Sequence, residues 1–258
     1  MKKMLLLGAL LSAVCFADGA EYLFDTQASC ELQGKAKLEF KNGCHILKGN
    51  CHFWPVRMFK HDPAKKYSIS AEFMTDCEAP YPSFMFGLVY FDNSGKFIQS
   101  REYLADPKGF TELAKAVGPS DTTITIKKPA GFRKHAGWAY VLAFDAKEDN
   151  SDLPNPKVST NIKKMEIGTD TITLTLAKPI FAAYPAGTKV RLHYSLSFFH
   201  PVDLNQYYIR PNTKWQKIKG TISIPRGVKN FKPALIFYHS KDKKYVYIRN
   251  FKLILIEE

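Results

Sequence analysis

One segment of the chain combines a basic and an imidazole side chain, the groups that hold carboxylates and move protons near neutral pH. Arg191 and His193 alternate with Leu192 and Tyr194, so a strand here places the polar pair on one face. On that face, Arg191 and His193 are candidates for binding hydroxyl groups or a carboxylate. An ordinary solvated strand face is the alternative. His200 falls on the opposite face of the same predicted strand, so the two imidazoles are not expected to share a metal ion.

The stretch DAKEDNSDLPNP concentrates acidic side chains in a chain that is otherwise basic. Carboxylate oxygens are the ligands that Ca²⁺ prefers, so this stretch is a candidate structural calcium site. Its spacing differs from that of an EF-hand loop. A solvated loop stiffened by Pro154 and Pro156 is the alternative. The candidate metal ligands are Asp145, Glu148, Asp149 and Asp152.

Aromatic residues offer a different kind of binding chemistry, because the C–H face of a sugar ring stacks on an aromatic ring. The chain contains 3 Trp, 13 Tyr and 19 Phe residues, and most of the Phe residues are expected in the core. Loops and strand ends carry binding sites more often than strand interiors do. Packing against the core is the alternative for each ring. The candidate ligand-binding rings are Trp54, Trp138, Tyr184, Tyr207 and Tyr208.

Compact motifs of common catalytic and nucleotide-binding sites are missing from the sequence. It contains no G-x-S-x-G elbow, no H-E-x-x-H motif, no phosphate-binding loop and no dinucleotide fingerprint. No pair of carboxylates for glycoside hydrolysis stands out. We therefore expect binding without catalysis, with an enzyme as the alternative.

The elements that must position these residues are β-strands. Apolar and polar residues alternate along 67–73 and 217–224, whereas 84–91 is apolar almost throughout, as a strand covered on both faces should be. Asn42-Gly43 and Gly49-Asn50 supply turn residues between short strands. A single short helix is predicted around Phe110 to Val117. The composition of elements predicts an all-β protein built as a two-sheet sandwich. Further predicted strands are TTITIKK, YVLAFDA, TITLTLA and TKVRLHYSLSFF.

Two stretches resemble carbohydrate-binding modules with a galactose-binding jelly-roll fold. The strand WQKIKGTISIP at 215–225 and the closing segment ending in IRNFKL resemble the end of such modules, and residues 54–100 resemble their early strands. The resemblance implies a jelly-roll β-sandwich, in which residues 101–214 form an inserted elaboration or a subdomain. It also implies that the protein binds carbohydrate. The strand motifs of alginate-lyase-like jelly rolls are incomplete here, since TELA lacks a leading Arg and RLH lacks a Gln.

Charge favours an anionic partner. The formal net charge is +13, and the Lys pairs that recur along the chain are spread rather than clustered. Nucleic-acid binding would need a contiguous basic patch with a known motif, so no nucleic-acid partner is expected. Spread positive charge suits an acidic polysaccharide, and it also suits solubility alone. The alternatives to a non-catalytic carbohydrate-binding protein are a lyase or hydrolase of unfamiliar pattern and a structural cell-surface or assembly protein.

The N-terminus predicts export. Lys2 and Lys3 precede an apolar run, and Cys15-Phe16-Ala17 offers small residues where a signal peptidase cuts, so residues 1–17 are expected to be removed. Lipoprotein processing at Cys15 is the alternative. We expect a secreted or periplasmic protein whose residues 18–258 form a single β-sandwich domain, with no transmembrane segment.

Export also bears on the four remaining cysteines, which lie in the first third of the chain. An even number of cysteines in an exported chain favours two disulfides, with three possible pairings. Zinc is the alternative, since His45 and His52 each follow a cysteine. The disulfide candidates are Cys30, Cys44, Cys51 and Cys77.

Overall fold

The protein is described from a computed structural model. Residues 1–17, the expected signal peptide with Cys15, lie outside the described residues, as does Tyr207. Within the described part of the chain, no helix has the length and apolarity that a membrane span requires. The described residues are 20–34, 36–77, 83–180, 182–203, 208–237 and 245–256.

Strands make up nearly all of the regular structure, which confirms the all-β prediction. In the described ranges, the helical elements are one short α-helix, α1 (Ser100–Tyr103), and a 3-10 turn at Gln27–Ser29. The strands are β1 (Glu21–Leu23), β2 (Cys30–Gly34), β3 (Lys37–Lys41), β4 (Cys44–Lys48), β5 (Cys51–Pro55), β6 (Phe59–Lys60), β7 (Lys66–Thr75), β8 (Phe84–Phe91), β9 (Ala105–Glu112), β10 (Thr123–Lys127), β11 (Tyr140–Phe144), β12 (Ile162–Ile167), β13 (Thr171–Leu176), β14 (Lys189–Tyr194), β15 (Phe199–Pro201), β16 (Gln216–Ile222), β17 (Asn230–Phe237) and β18 (Tyr245–Ile256).

Two six-stranded antiparallel sheets form the main sandwich. Sheet 1 has the order β16-β7-β18-β4-β3, with β1 paired to β18. Sheet 2 has the order β15-β8-β17-β5-β2, with β6 paired to β17. The chain passes from β7 in sheet 1 to β8 in sheet 2, and later from β16 to β17 and back to β18, so the sheets are assembled from strands distant in sequence.

Aromatic side chains pack between the two sheets. Phe73 of sheet 1 lies with its ring centroid 4.7 Å from that of Phe84 in sheet 2, and Phe251 lies 5.9 Å from Phe86. The apolar face predicted for 67–73 is confirmed, since Tyr67, Ile69, Ala71 and Phe73 face this core. Ser68 and Ser70 of the polar face are buried as well, so the expected solvated face is wrong at these two positions. Strand β8 is buried along its whole length, as its continuous apolar run predicts.

The residues between β8 and β15 form two further sheets. Sheet 3 has the order β10-β13-β12 and sheet 4 the order β11-β14-β9. Ile124 and Leu174 of sheet 3 and Leu192 of sheet 4 belong to the same buried hydrophobic cluster as the core of the main sandwich. Sheets 3 and 4 therefore extend the core instead of building a separate one.

The helix predicted around Phe110 to Val117 is wrong. Residues 110–112 end strand β9, where Phe110 and Glu112 pair with Arg191 and Lys189 of β14. A Cβ added at Gly109 would lie 2.9 Å from the carbonyl oxygen of Leu192. Close pairing with β14 thus decides the conformation of a segment whose local sequence permits a helix turn.

The segment predicted as one strand carrying both His193 and His200 is divided in two. Strand β14 ends at Tyr194 in sheet 4, and His200 lies in β15 in sheet 2. Period-two alternation does not relate the two imidazoles, because they belong to different sheets. Ser197 has a φ of 72°, which breaks the strand between them.

The hairpin turn predicted at Asn42-Gly43 is confirmed. Both residues have positive φ, 52° and 72°, and Lys41 pairs with Cys44 across the turn. Asn and Gly tolerate this conformation better than other residues, and a two-residue turn of this kind matches the twist of the strands it joins. The turn closes β3 and β4 at one end of sheet 1.

Disulfides are not formed among the described cysteines. Cys30 pairs with Pro55 and Cys51 with Gly34, at opposite ends of the β2–β5 pair. Four positions along a strand correspond to about 13 Å, whereas a disulfide joins Cα atoms about 4.4–6.8 Å apart. Burial raises the pKa of both thiols to about 12. The prediction of two disulfides is therefore corrected to four free thiols, at Cys30, Cys44, Cys51 and Cys77.

Candidate functional site

Arg191 and His193 are buried, with exposed fractions of 1% and 0%. The solvated polar face predicted for their strand is covered by the loop that follows β11, which we call the acidic loop (residues 145–156). The two residues therefore present no surface to a large ligand. Their polar atoms instead form hydrogen bonds with other residues of the protein.

Both terminal nitrogens of the Arg191 guanidinium are engaged by this loop. Its Nη2 donates to both carboxylate oxygens of Asp152, at 2.7 and 2.6 Å. Its Nη1 donates to the carbonyl oxygen of Lys147 at 3.0 Å and to the side-chain oxygen of Asn150. Charge-assisted hydrogen bonds from two guanidinium nitrogens to three residues of the loop fix its position relative to Arg191. Arg191 thus ties the acidic loop to β14.

His193 completes the network as a neutral side chain. Arg191 Nε donates to His193 Nε2 at 3.1 Å, so Nδ1 carries the proton and donates to the carbonyl oxygen of Arg101 at 2.7 Å. Burial lowers the pKa of His193 to about 4, because a charged imidazole would lose its hydration. A second proton would also face the Arg191 cation.

The four predicted calcium ligands do not converge. Asp145 pairs with Lys157 at 2.6 Å, Asp152 is held by Arg191, and Asp149 accepts a hydrogen bond from the amide of Ser151 at 3.0 Å. Among the described residues, no group of three or more His, Cys, Asp or Glu side chains could hold a metal ion. Carboxylates of the acidic loop therefore pair with basic side chains of the protein.

The predicted aromatic platforms are dispersed. Trp54 is 1% exposed, and its Nε1 donates to Glu31 at 2.8 Å. Trp138 packs on Tyr194 with centroids 4.6 Å apart. Tyr184 stacks on Phe144 at 4.2 Å, with the two rings 8° from parallel. Trp138 and Tyr184 are partly exposed but pack against neighbouring rings. Of the predicted rings that the structure describes, only Tyr208, 47% exposed, lies open on the surface.

An open groove of about 470 Å³ lies on the outer face of sheet 1. None of the predicted ligand-binding residues that the structure describes belongs to it. Three aromatic side chains line it, together with polar groups from the β3–β4 hairpin and an apolar floor. The lining residues are Glu39, Lys41, Asn42, Cys44, Ile46, Met74, Trp215, Tyr245 and Tyr247.

Strand register explains why these side chains meet. Tyr247 of β18 pairs with Ile46 of β4 on one side and with Met74 of β7 on the other. Ile46 in turn pairs with Glu39 of β3. Directly paired residues of antiparallel strands point to the same face of a sheet. Four strands thus contribute one row of side chains to the groove.

Trp215 is fixed at the edge of this face by a charged partner. The Arg249 guanidinium lies 4.0 Å from the Trp215 ring centroid, a distance typical of a cation–π contact. Arg249 Nε donates to Glu72 at 2.7 Å, and Asn250 donates to the other carboxylate oxygen at 3.0 Å. The hydrogen bonds from Arg249 and then Asn250 lower the pKa of Glu72. The carboxylate therefore stays charged and orders the cluster.

A bulge in β18 brings Arg249 and Asn250 together. The register with β7 shifts between Arg249 and Lys252, and Asn250 has a φ of 51°. A bulge places two consecutive residues opposite one partner residue and redirects their side chains. Here both side chains reach Glu72, which a regular strand would not allow.

Tyr245 and Tyr247 are held by polar contacts at the other end of the groove. Lys48 Nζ donates to the Tyr245 hydroxyl at 3.2 Å. The Tyr247 hydroxyl donates to Asp76 at 3.4 Å. Burial, followed by the nearby Asp76 carboxylate, raises the pKa of Tyr247. Both rings are therefore partly exposed, with their hydroxyl groups oriented by these contacts.

A signal for this groove was present in the sequence. Tyr245, Tyr247 and Arg249 alternate with the apolar Val246 and Ile248, which predicts a face with two rings and a cation. Trp215 carried no such signal, because only the pairing of β16 with β7 brings it beside Arg249.

Comparison with family models, curated proteins and solved structures found no match for this chain. The groove must therefore be interpreted from its own chemistry.

Proposed function

We propose that this protein is a non-catalytic carbohydrate-binding protein and that a glycan lies in the groove on sheet 1. The observation that carries the proposal is the presence of Trp215, Tyr245 and Tyr247 on one open sheet face beside planar polar groups. Aromatic rings take the C–H faces of sugars, and carboxylate, amide and guanidinium groups take their hydroxyls. This combination suits a polar ligand that also has apolar faces.

The position of the groove on an outer sheet face is compatible with a glycan chain that continues beyond it. The groove lies on the outer face of sheet 1, and its walls come from the β3–β4 hairpin and from Trp215. An acidic polysaccharide is the favoured class, because the protein carries a formal charge of +13 and attracts polyanions over a distance set by the salt concentration. We place Lys41, Lys48 and Arg249 nearest to such a chain.

The jelly-roll interpretation of the fold is part of the same proposal. The two segments that resemble carbohydrate-binding modules supply β6, β7, β8, β16, β17 and β18, about half of the strands of sheets 1 and 2. The chain passes between the sheets from β7 to β8 and again from β16 to β17 to β18. Export from the cell, which the N-terminus predicts, would give the protein access to extracellular glycans.

Edge strands weigh against the alternative of an assembly protein. Strands β3, β16 and β12 lie at sheet edges, and each carries exposed lysines, such as Lys37, Lys217 and Lys163. Lysines on an edge strand discourage pairing with another chain. The same residues explain part of the positive charge without any ligand.

The test is a glycan-array screen of residues 18–258, followed by titration calorimetry on the glycans that bind. Tyr247→Ala and Trp215→Ala should each lower the affinity about tenfold, since losing one stacking ring costs about 1.4 kcal/mol. Tyr208→Ala is the matched control, because Tyr208 is an exposed tyrosine outside the groove. Its affinity should equal that of the unchanged protein.

The same screen separates the alternatives. New reducing or unsaturated ends on a bound glycan would identify an enzyme. Absence of binding across the array would favour the structural role. Binding that survives both groove substitutions would place the carbohydrate site elsewhere.

A further inference from the structure

A second, separate pocket lies where the main sandwich meets sheets 3 and 4. Its volume is about 340 Å³, and its walls come from α1, the acidic loop, β15 and the segment that follows β16. Pockets of this size accommodate a small ligand such as one sugar ring. None of its lining residues belongs to the groove on sheet 1.

A neutral histidine forms part of the pocket wall. His200 Nδ1 lies 2.6 Å from the hydroxyl of Tyr90, which is 0% exposed. Burial lowers the pKa of His200 to about 4, so the ring is neutral near pH 7. The two nitrogens of an imidazole point away from each other, and Tyr90 occupies one of them. Nε2 is then the atom left to exchange a hydrogen bond with a ligand.

The opposite wall carries two charges of opposite sign. Asp149 and Arg226 both line the pocket and are exposed. Hydrogen bonds from Ser151 lower the pKa of Asp149, with smaller contributions from Lys147 and Arg226. Arg226 makes no hydrogen bond or ion pair with any other described residue, so its guanidinium fork is available.

The backbone of this wall is rigid. Arg191 holds the acidic loop through Asp152 and Asn150. The amide of Gly227 donates to the carbonyl oxygen of Leu153 at 3.1 Å, and a Cβ at Gly227 would lie 2.5 Å from that oxygen. The segment after β16 is thus fastened directly to the acidic loop. A pocket whose walls are fixed in advance loses less entropy on binding.

We propose that this pocket binds a single hydroxylated carboxylate of the uronic-acid class. The carboxylate would pair with Arg226 in the bidentate geometry that guanidinium favours. Hydroxyl groups would donate to Asp149 and exchange a hydrogen bond with His200 Nε2. The apolar face of the ring would lie against Ile224 and Pro225, which line the same pocket. This site is independent of the proposed groove, so either can exist without the other.

The experiment is saturation-transfer NMR and titration calorimetry with glucuronate, using glucose as the ligand that lacks the carboxylate. We expect saturable binding of glucuronate and at least tenfold weaker binding of glucose. Arg226→Gln should remove this preference. Arg210→Gln is the matched control, because Arg210 is exposed and lies outside the pocket. Thermal unfolding of each variant verifies that it is folded.

Several outcomes would overturn the assignment. Equal binding of glucose and glucuronate, or no binding of either, would show that the pocket does not select a uronate. Unchanged binding of glucuronate by the folded Arg226→Gln variant would show that glucuronate binds outside this pocket. Loss of glucuronate binding in Tyr247→Ala but not in Arg226→Gln would place the ligand in the groove on sheet 1 instead.

Discussion

Arg191 carries its charge in the interior, where a lone guanidinium would be strongly destabilising. A buried ion pair repays its desolvation only when geometry is good and the remaining donors are satisfied. Here Asp152, Asn150, His193 and the carbonyl oxygen of Lys147 satisfy them. Such a network specifies one position for the acidic loop, and the loop forms a wall of the pocket beside His200.

Asp152→Asn should therefore lower the free energy of unfolding by roughly 3 kcal/mol, because it leaves the Arg191 charge buried without a counterion. Asp145→Asn is the matched control in the same loop, since Asp145 and Lys157 are about half exposed. Exposed pairs contribute less than about 1 kcal/mol. Urea denaturation at pH 7 measures both. Equal losses would contradict the structural role of Asp152.

Acid should weaken the protein through His193. Its pKa is about 4 in the folded state and about 6.5 when unfolded. Between these pH values His193 is protonated in the unfolded chain but not in the folded chain. The free energy of unfolding therefore falls as pH falls. The loss at pH 4.5 should be roughly 2–3 kcal/mol from this residue.

Comparing His193→Gln with the unchanged protein isolates this contribution. Gln keeps an uncharged donor and acceptor but cannot take up a proton near pH 5. Urea midpoints at pH 7 and pH 4.5 should differ less in the variant. An unchanged pH dependence would show that other groups control acid sensitivity.

Elements in this fold are positioned by contacts that local sequence does not encode. Strand β15 approaches β8 at Gly87, where His200 and Pro201 pair with Leu88 and Gly87. A Cβ at Gly87 would collide with the carbonyl oxygen of His200. Glycine is required here for its lack of a side chain, not for an unusual φ.

Gly87→Ala should push β15 away from sheet 2 and cost roughly 1–3 kcal/mol, the usual range for overpacking. Gly118→Ala is the control, because the nearest atom to its added Cβ is 3.7 Å away. Thermal unfolding should show a lower midpoint for the first variant and little change for the second. A tolerated Gly87→Ala would mean that β15 is free to shift.

At the scale of the whole molecule, the contribution of net charge to glycan affinity should depend on salt concentration, whereas the contribution of the aromatic rings should not. Binding of an acidic glycan should weaken as salt rises from 0.1 to 1 M, because the screening length falls from about 10 to about 3 Å. Binding of a neutral glycan should change little. Titration calorimetry over this range measures both, and Tyr247→Ala should lower affinity without removing the salt dependence. Salt-independent binding of an acidic glycan would contradict the role assigned to net charge.

Sequence alone determined the fold class, because period-two alternation and turn residues act locally. The strand at 67–73, the fully apolar strand at 84–91 and the Asn42-Gly43 turn were all predictable from neighbours within a few residues. The face that presents Tyr245, Tyr247 and Arg249 was readable in the same way. These features follow from backbone geometry, in which alternate residues of a strand share a face.

Tertiary structure alone decided which polar residues face solvent and which side chains meet. Alternation divides a strand into two faces but does not say what covers either face. Arg191 and His193 are buried because the acidic loop, from another part of the chain, covers the polar face of β14. Trp215 and Arg249 are 34 residues apart in sequence, and they meet because β16 and β18 both pair with β7. Pairing between distant strands depends on the packing of the whole core, and no local pattern records it.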